Sequence, residues 1–229
     1  MQEVEEVVTT MSNGKASGLD GFTIDFYKAR WPLLKNEVHA LVEESRIQKS
    51  ILKALNATFL TLIPKDEGAD SPDKFRPISL CNVIYKIISK VLANRTKTIF
   101  PLLVSQHQSS YVEGRKILDR IILSHELTHS IKAHRKPRMM MQLDMSKEFD
   151  KIGWEYMKDV LAVFGFHKDC IKWIMAMVFG DFFLILLNGS PSQPFCPSRG
   201  IRQGDPISPF LFYYYGRGPQ EIHHDCLFH

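Results

Sequence analysis

Residues 139–150 read Met-Met-Met-Gln-Leu-Asp-Met-Ser-Lys-Glu-Phe-Asp, an apolar run that delivers one acid, Asp144, and then passes into a helical pattern. No other stretch constrains the fold as much. An uninterrupted apolar run of this length reads as a short buried strand, and Asp144 falls where that strand would end and open to a cleft. A carboxylate there is unfavourable unless a cation or hydrogen bond meets it. Asp144 is therefore either a cap for the helical segment beginning at Ser146 or a functional acid. The remaining chain must wrap this strand, and 229 residues with 45% hydrophobic content are ample for a core.

The surrounding pattern is mostly helical. Val4, Val7, Val8 and Met11 recur at helical spacing over residues 3–11, and the glycine-rich stretch 13–21 reads as a loop. Helices are predicted over about 31–50, over 82–100 with Ile84, Ile87, Ile88 and Val91 on one face and Pro101 as its limit, and over about 117–132. A further helix spans 149–163, with Gly165 as its cap, and another covers 169–179. Two further strands are predicted, 58–63 stopped by Pro64, and 182–187 ending in the tight-turn pair Asn188-Gly189, with an edge partner for the latter within 192–199. A last helix opens at Phe210, and from Tyr213 onward pattern is lost.

Charge and cysteine usage exclude some classes. The balance of 29 basic to 25 acidic residues is a weak bias toward a polyanionic partner, so local clusters matter more than the net +4. Cys81, Cys170, Cys196 and Cys226 are widely spaced and indicate neither a disulfide framework nor a zinc site. The expectation is a reducing, intracellular setting with no targeting signal and no membrane span. Lys65 follows a strand end, and Lys74 and Arg76 flank Phe75 near a strand terminus, where such cations suit a phosphate clamp or are solvated surface charges. Gly200 and Gly204 permit close backbone approach to a ligand. His223, His224, Asp225 and Cys226 have ligand chemistry without metal-site spacing.

Five blocks in order resemble the reverse transcriptase domain of non-LTR, LINE-type retrotransposons, the plant group in particular. They are Lys-Ala-Ser-Gly-Leu-Asp-Gly-Phe at 15–22; Leu-Ile-Pro-Lys at 62–65 with Phe-Arg-Pro-Ile-Ser-Leu at 75–80; Tyr-Lys-Ile at 85–87 with Lys-Val-Leu-Ala-Asn-Arg at 90–95; Leu-Asp-Met-Ser-Lys-Glu-Phe-Asp at 143–150 with Trp154; and Asn188-Gly189 leading to Arg-Gly-Ile-Arg-Gln-Gly-Asp-Pro-Ile-Ser-Pro at 199–209. Together they cover roughly residues 5–212.

The resemblance implies a helix-rich α+β fold, the fingers and partial palm of a right-hand polymerase with a small antiparallel palm sheet. Residues 1–138 would hold the fingers, N-terminal helices and part of the palm, 139–212 the palm core, and 213–229 an unpatterned tail. It implies RNA-templated addition of dNTPs to a DNA 3′ end by two-metal phosphoryl transfer, with RNA template, DNA primer and dNTPs as partners, in nucleus and cytoplasm. Asp144 matches the acid that holds two Mg²⁺ ions, which call for hard carboxylate oxygens, and the Met145 backbone oxygen is a further metal ligand. Lys65 and Arg76 match cations that grip the triphosphate, Phe149 the ring that selects deoxyribose, and Gln203 and Gly204 the border of nucleotide and template. From the residues alone, Phe149 reads as an ordinary core side chain on a helical stripe.

The departures from the family pattern also matter. No Asp-Asp pair occurs anywhere in the chain, so the second metal-binding acid pair is missing. Glu148 stands where the family usually has Ala, and Arg120 where it usually has Asn. Asp150 and Asp205 have ready roles in helix or turn hydrogen bonding. The expectation is a truncated, inactive fragment. The alternatives are a non-catalytic nucleic-acid-binding remnant and a group II intron maturase-like protein.

Overall fold

In the computed structural model, which describes residues 2–103, 114–133, 139, 141, 147–180 and 182–217, helices dominate and one small sheet runs through the middle of the chain. The helices are α1 (Gln2–Thr10), α2 (Ile24–Ala29), α3 (Trp31–Gln48), α4 (Lys53–Asn56), α5 (Val83–Leu103), α6 (Ile117–Ala133), α7 (Glu148–Lys151), α8 (Trp154–Val163), α9 (Lys168–Val178) and α10 (Ser208–Arg217). The strands are β1 (Thr58–Pro64), β2 (Phe75–Cys81), β3 (Phe183–Leu187) and β4 (Ser190–Pro191).

The sheet order is β2-β1-β3-β4, with β1 antiparallel to β2, parallel to β3, and β3 antiparallel to β4. The sheet is therefore mixed, which corrects the antiparallel expectation. Each hairpin makes its own pair antiparallel, but β3 reaches β1 only after the chain has crossed back through helices, and that connection admits a parallel pair. Asn188, with φ 50, and Gly189, with φ 82, form the expected turn between β3 and β4.

β2 was not predicted, because Pro77 interrupts its pattern. Pro77 is tolerated there because β2 is an edge strand. The Ser79 amide points away from β1, donating to the Gln203 carbonyl at 2.9 Å. By the two-residue period of a strand the Pro77 nitrogen points outward as well, so no ladder bond is lost.

The core gathers Val7 of α1, Ile87, Ile88 and Val91 of α5, Met157 of α8 and Ile174 of α9. α5 continues through Pro101 to Leu103, so the proline sits within the last turn instead of ending the helix before it. The helix expected over 149–163 is divided at Ile152-Gly153. There Ile201 donates to the Phe149 carbonyl at 2.9 Å and Gly200 to the Ile152 carbonyl at 2.8 Å, taking the acceptors that a continuous helix would use. Gly165, with φ 82, ends the chain's turn after α8 as expected.

The pattern loss expected from Tyr213 is also corrected. α10 runs to Arg217 and buries Tyr213 and Tyr214, because the Tyr214 ring packs within 4.7 Å of Phe164, 5.4 Å of Phe166 and 5.7 Å of Phe100. Burial pushes the Tyr214 phenol well above its ordinary pKa, and its hydroxyl has no hydrogen-bond partner among the described residues. An unsatisfied buried hydroxyl costs about 1–3 kcal/mol. Tyr214→Phe is therefore expected to raise the midpoint of chemical denaturation at unchanged m-value, by about 1 kcal/mol of stability. A lower midpoint would show that the hydroxyl is satisfied.

Of the apolar run at 139–143 only Met139 and Met141 are described. Both lie outside any strand, 81% and 67% exposed, so the burial expected of the run is absent at these two positions. Asp144 and Met145 lie outside the described residues, as do 218–229 with His223, His224, Asp225 and Cys226. Among the described residues no helix is long and apolar enough to cross a membrane.

Candidate functional site

The 200–205 turn is held between two parts of the chain. On one side the Gln203 carbonyl accepts from Ser79 on the edge of β2 away from β1. Gly204 has φ 100, and a Cβ there would stand 3.6 Å from the Ser79 carbonyl oxygen. On the other side the turn latches onto the break between α7 and α8. Trp154 Nε1 donates to the Gly200 carbonyl at 2.7 Å, beside the two backbone bonds to Phe149 and Ile152. Gly200 has φ 93, and a Cβ would come within 3.1 Å of the Phe149 oxygen. Only glycine meets both demands.

The turn thus links the Phe149 backbone at one end with the β2 edge at Gln203 and Gly204 at the other. Phe149 is half-buried and stacks on Phe212 of α10, with centroids 5.1 Å apart and planes 9° from parallel. Its ring therefore packs against another aromatic, in keeping with the core-residue reading from its helical stripe.

Lys65 and Arg76 take different surroundings. The Lys65 amide extends the β1–β2 ladder by donating to Lys74 O at 2.8 Å, and its ammonium reaches the Asp73 carbonyl at 3.0 Å. Lys147 forms an ion pair with the Asp73 carboxylate, and this hydrogen bond holds the Asp73 carboxyl below its ordinary pKa. The segment that precedes Phe149 is thereby tied to the tip of the β1–β2 hairpin beside Lys65. Arg76 pairs in register with Ile63, and its exposed side chain makes no hydrogen bond or ion pair among the described residues.

Two clefts meet at the β2 edge. The smaller, about 160 Å³, is lined by Pro77, Ser79, Asp150, Arg199, Gly200 and Gln203, among others. The larger, about 450 Å³, is lined by Lys15, Ile78, Leu80, Lys86, Lys90 and Gly204, among others. Strand alternation puts Arg76 on the Ile78–Leu80 face, the side of the larger cleft. The clustering of Lys15, Lys86 and Lys90 was missed in the sequence, although the four-residue spacing of Lys86 and Lys90 puts them on one helix face. Lys15 joins them because the 15–21 loop docks on Asn82, which precedes α5. Asp20 N donates to Asn82 Oδ1 at 3.2 Å, and Gly18 fits so closely that a Cβ would lie 2.3 Å from that oxygen.

Beneath the turn lie two buried charges. The Arg202 guanidinium donates to Met177 O at 3.1 Å and Asn56 O at 2.8 Å, and stacks 4.5 Å from the Tyr85 ring centroid and 5.2 Å from that of Phe183. Asp205 accepts from Tyr85 Oη at 3.0 Å and from Ser89 Oγ. Burial raises the Asp205 pKa, opposed by Ser89, Arg202 and Tyr85.

Asp205 is thus committed to structural hydrogen bonds. Asp150 is exposed and lines the smaller cleft. Among the described residues no three His, Cys, Asp or Glu side chains are grouped to hold a metal ion. Asp144, the acid matched to the family's metal site, lies outside the described residues.

Residues 63–221 match the family model described as reverse transcriptase (RNA-dependent DNA polymerase). The chain is 28% identical over 212 residues to the transposon TX1 uncharacterized 149 kDa protein of Xenopus laevis, covering 93% of the chain and 16% of that protein. It is 26% identical over 212 residues to the retrovirus-related Pol polyprotein from type-1 retrotransposable element R2 of Popillia japonica, covering 91% and 29% of the two. It is 31% identical over 151 residues to the corresponding polyprotein from type-2 element R2DM of Drosophila melanogaster, covering 66% and 14%. The chain therefore spans less than a third of the length of each of these relatives. With the family model covering most of its length, the chain belongs to the reverse transcriptase (RNA-dependent DNA polymerase) family, and its homologues are proteins of non-LTR retrotransposons.

Proposed function

We propose that this chain supplies the template- and nucleotide-holding part of a retrotransposon reverse transcriptase, which adds dNTPs to a DNA 3′ end on an RNA template. The observation that carries this reading is the Gln203-Gly204 turn seated on the β2 edge, between a small cleft bordered by Arg199 and a larger one bordered by three lysines. In this reading the lysine-lined cleft takes the backbone of the RNA template. Gln203 and Gly204 border the base pair being formed, Lys65 and Arg76 attract the triphosphate, and Phe149 lies near the sugar. Asp144 and the Met145 carbonyl would hold Mg²⁺, whose chemistry is neutralisation of the phosphoryl charge. The work would be done in the nucleus and cytoplasm. Residues 1–138 would act as fingers, N-terminal helices and part of the palm, and 139–212 as palm core.

Because the chain contains no Asp-Asp pair, the same reading predicts binding without extension. A DNA primer annealed to RNA, incubated with Mg²⁺ and labelled dNTPs, is expected to remain unextended. Extension that disappears in Asp144→Ala would overturn that expectation and make the chain a competent polymerase. Binding of the hybrid is expected to weaken with salt, and replacing Lys86 and Lys90 by alanine should lower the log–log salt slope by about 1 to 2. An unchanged slope would remove the larger cleft from the template path.

A further inference from the structure

The turn that carries Gln203 and Gly204 makes only one backbone bond to the strand it borders, from Ser79. A single bond at an edge does not fix a loop against thermal motion. Gly200 and Ile201 tie the start of the turn to Ile152 and Phe149, and what fixes its Gln203-Gly204 end lies underneath. Arg202 and Asp205, immediately before and after the Gln203-Gly204 pair, are 4% and 5% exposed, and neither is held by a direct salt bridge to the other among the described residues. Each is anchored to other elements instead. Arg202 takes the carbonyls at the ends of α4 and α9, and Asp205 takes two hydroxyls of α5.

The α5 hydroxyls are one helical turn apart, at Tyr85 and Ser89, so they face the same side. Ser89 is fully buried and works in both directions, donating to Asp205 and accepting from Ile207 N at 3.1 Å, just before α10 begins. Tyr85, 1% exposed, offers its hydroxyl to Asp205 and its ring face to Arg202. One side chain thus touches both flanks of the turn. Buried charges keep their place only where such partners are aligned, so the position of Gln203 and Gly204 depends on Tyr85 and Ser89, which line neither cleft.

We infer that Tyr85 and Ser89, acting through Arg202 and Asp205, are the positioning residues of the Gln203-Gly204 turn, setting how it meets an incoming nucleotide. The part about the nucleotide rests on the proposed function, and the part about the turn does not. Tyr85→Phe removes one donor and keeps the ring under Arg202, and Ser89→Ala removes the other with loss of a single oxygen.

The test is amide hydrogen exchange across the whole chain, with binding of dTTP measured beside it in the presence of Mg²⁺ and a poly(rA)·oligo(dT) hybrid. Tyr85→Phe is expected to speed exchange in residues 200–207 about tenfold, the scale of one lost bond to a charged group, and Ser89→Ala, which also frees the Ile207 amide, by at least as much, while α3 and α8 exchange as before. Affinity for dTTP is expected to fall in the same order as the exchange rises, and Arg202→Lys, which keeps charge but not the fork, should lie between native and Tyr85→Phe. Unchanged exchange in 200–207 would overturn the inference, as would acceleration spread evenly over all helices, which marks a general loss of stability. If Ser89→Ala does not fold, Tyr85→Phe decides alone. If the native chain binds no dTTP, the nucleotide reading falls, and the exchange pattern still decides whether these residues position the turn.

Discussion

Gly18→Ala is expected to detach the 15–21 loop from the start of α5 and to lower stability by about 3 kcal/mol, the upper range for forcing a methyl into a filled site. The added Cβ would lie 2.3 Å from Asn82 Oδ1, 2.4 Å from its backbone nitrogen and 2.6 Å from its Cα. A flexible side chain could swing away from such a clash. Asn82 cannot, because its amide also donates to Ala54 O at 3.0 Å and Leu55 O at 3.3 Å, and its carbonyl accepts from Lys86 N at 3.0 Å. The loss should appear as a lower midpoint in urea at unchanged m-value. Gly153→Ala is the control: nothing lies within 4 Å of its Cβ position, so its cost should stay below about 1 kcal/mol. Equal effects of the two substitutions would show that the loop is not seated on Asn82. Lys15 sits on this loop, so hybrid binding should weaken along with stability.

Arg202→Ala is expected to cost about 3–5 kcal/mol near neutral pH, because it strips the neighbouring cation from a buried carboxylate and leaves two buried carbonyls unpaired. The sign of the pH dependence follows from Asp205. Its folded pKa is already raised, chiefly by burial, and Arg202 is one of the groups that oppose the rise. A carboxyl with a raised folded pKa favours folding when protonated. That contribution is fully present below the unfolded carboxylate value, and it is lost as pH rises through the folded value. Removing Arg202 lifts the folded value further, so the variant's deficit should be smallest in mild acid and grow toward neutrality. Urea melts across that range on the native chain, Arg202→Ala and the double variant with Asp205→Asn measure it. A deficit independent of pH would show that Asp205 does not feel Arg202, and the double variant should lose the dependence whichever way the first result falls.

Much of the secondary structure was legible in the sequence because it depends on neighbours in the chain. The helical stripe at Ile84, Ile87, Ile88 and Val91 has only one way to hide its apolar face, and Asn188-Gly189 supplies the positive φ values its turn requires. The motif residues Phe149, Gln203 and Gly204 were named from the family resemblance; Gln203 and Gly204 lie at the β2 edge, and Phe149 meets the other end of the same turn through its carbonyl. Arg202, Tyr85 and Ser89 were not named as parts of the site, because nothing in their local sequence shows that a helix 120 residues away will meet Asp205.

What the sequence by itself determined is the set of amphipathic helices, the two apolar strands, the hairpin turn and the family motifs, since each rests on spacing within a dozen residues. Only the tertiary structure decided the parallel pairing of β1 with β3, the edge strand around Pro77, the break at Ile152-Gly153 and the burial of Tyr214. Each of these is settled by a hydrogen bond or ring contact between distant segments. The Ile152 carbonyl can join a helix or accept from Gly200, and local sequence does not distinguish the two until packing brings Gly200 within 2.8 Å.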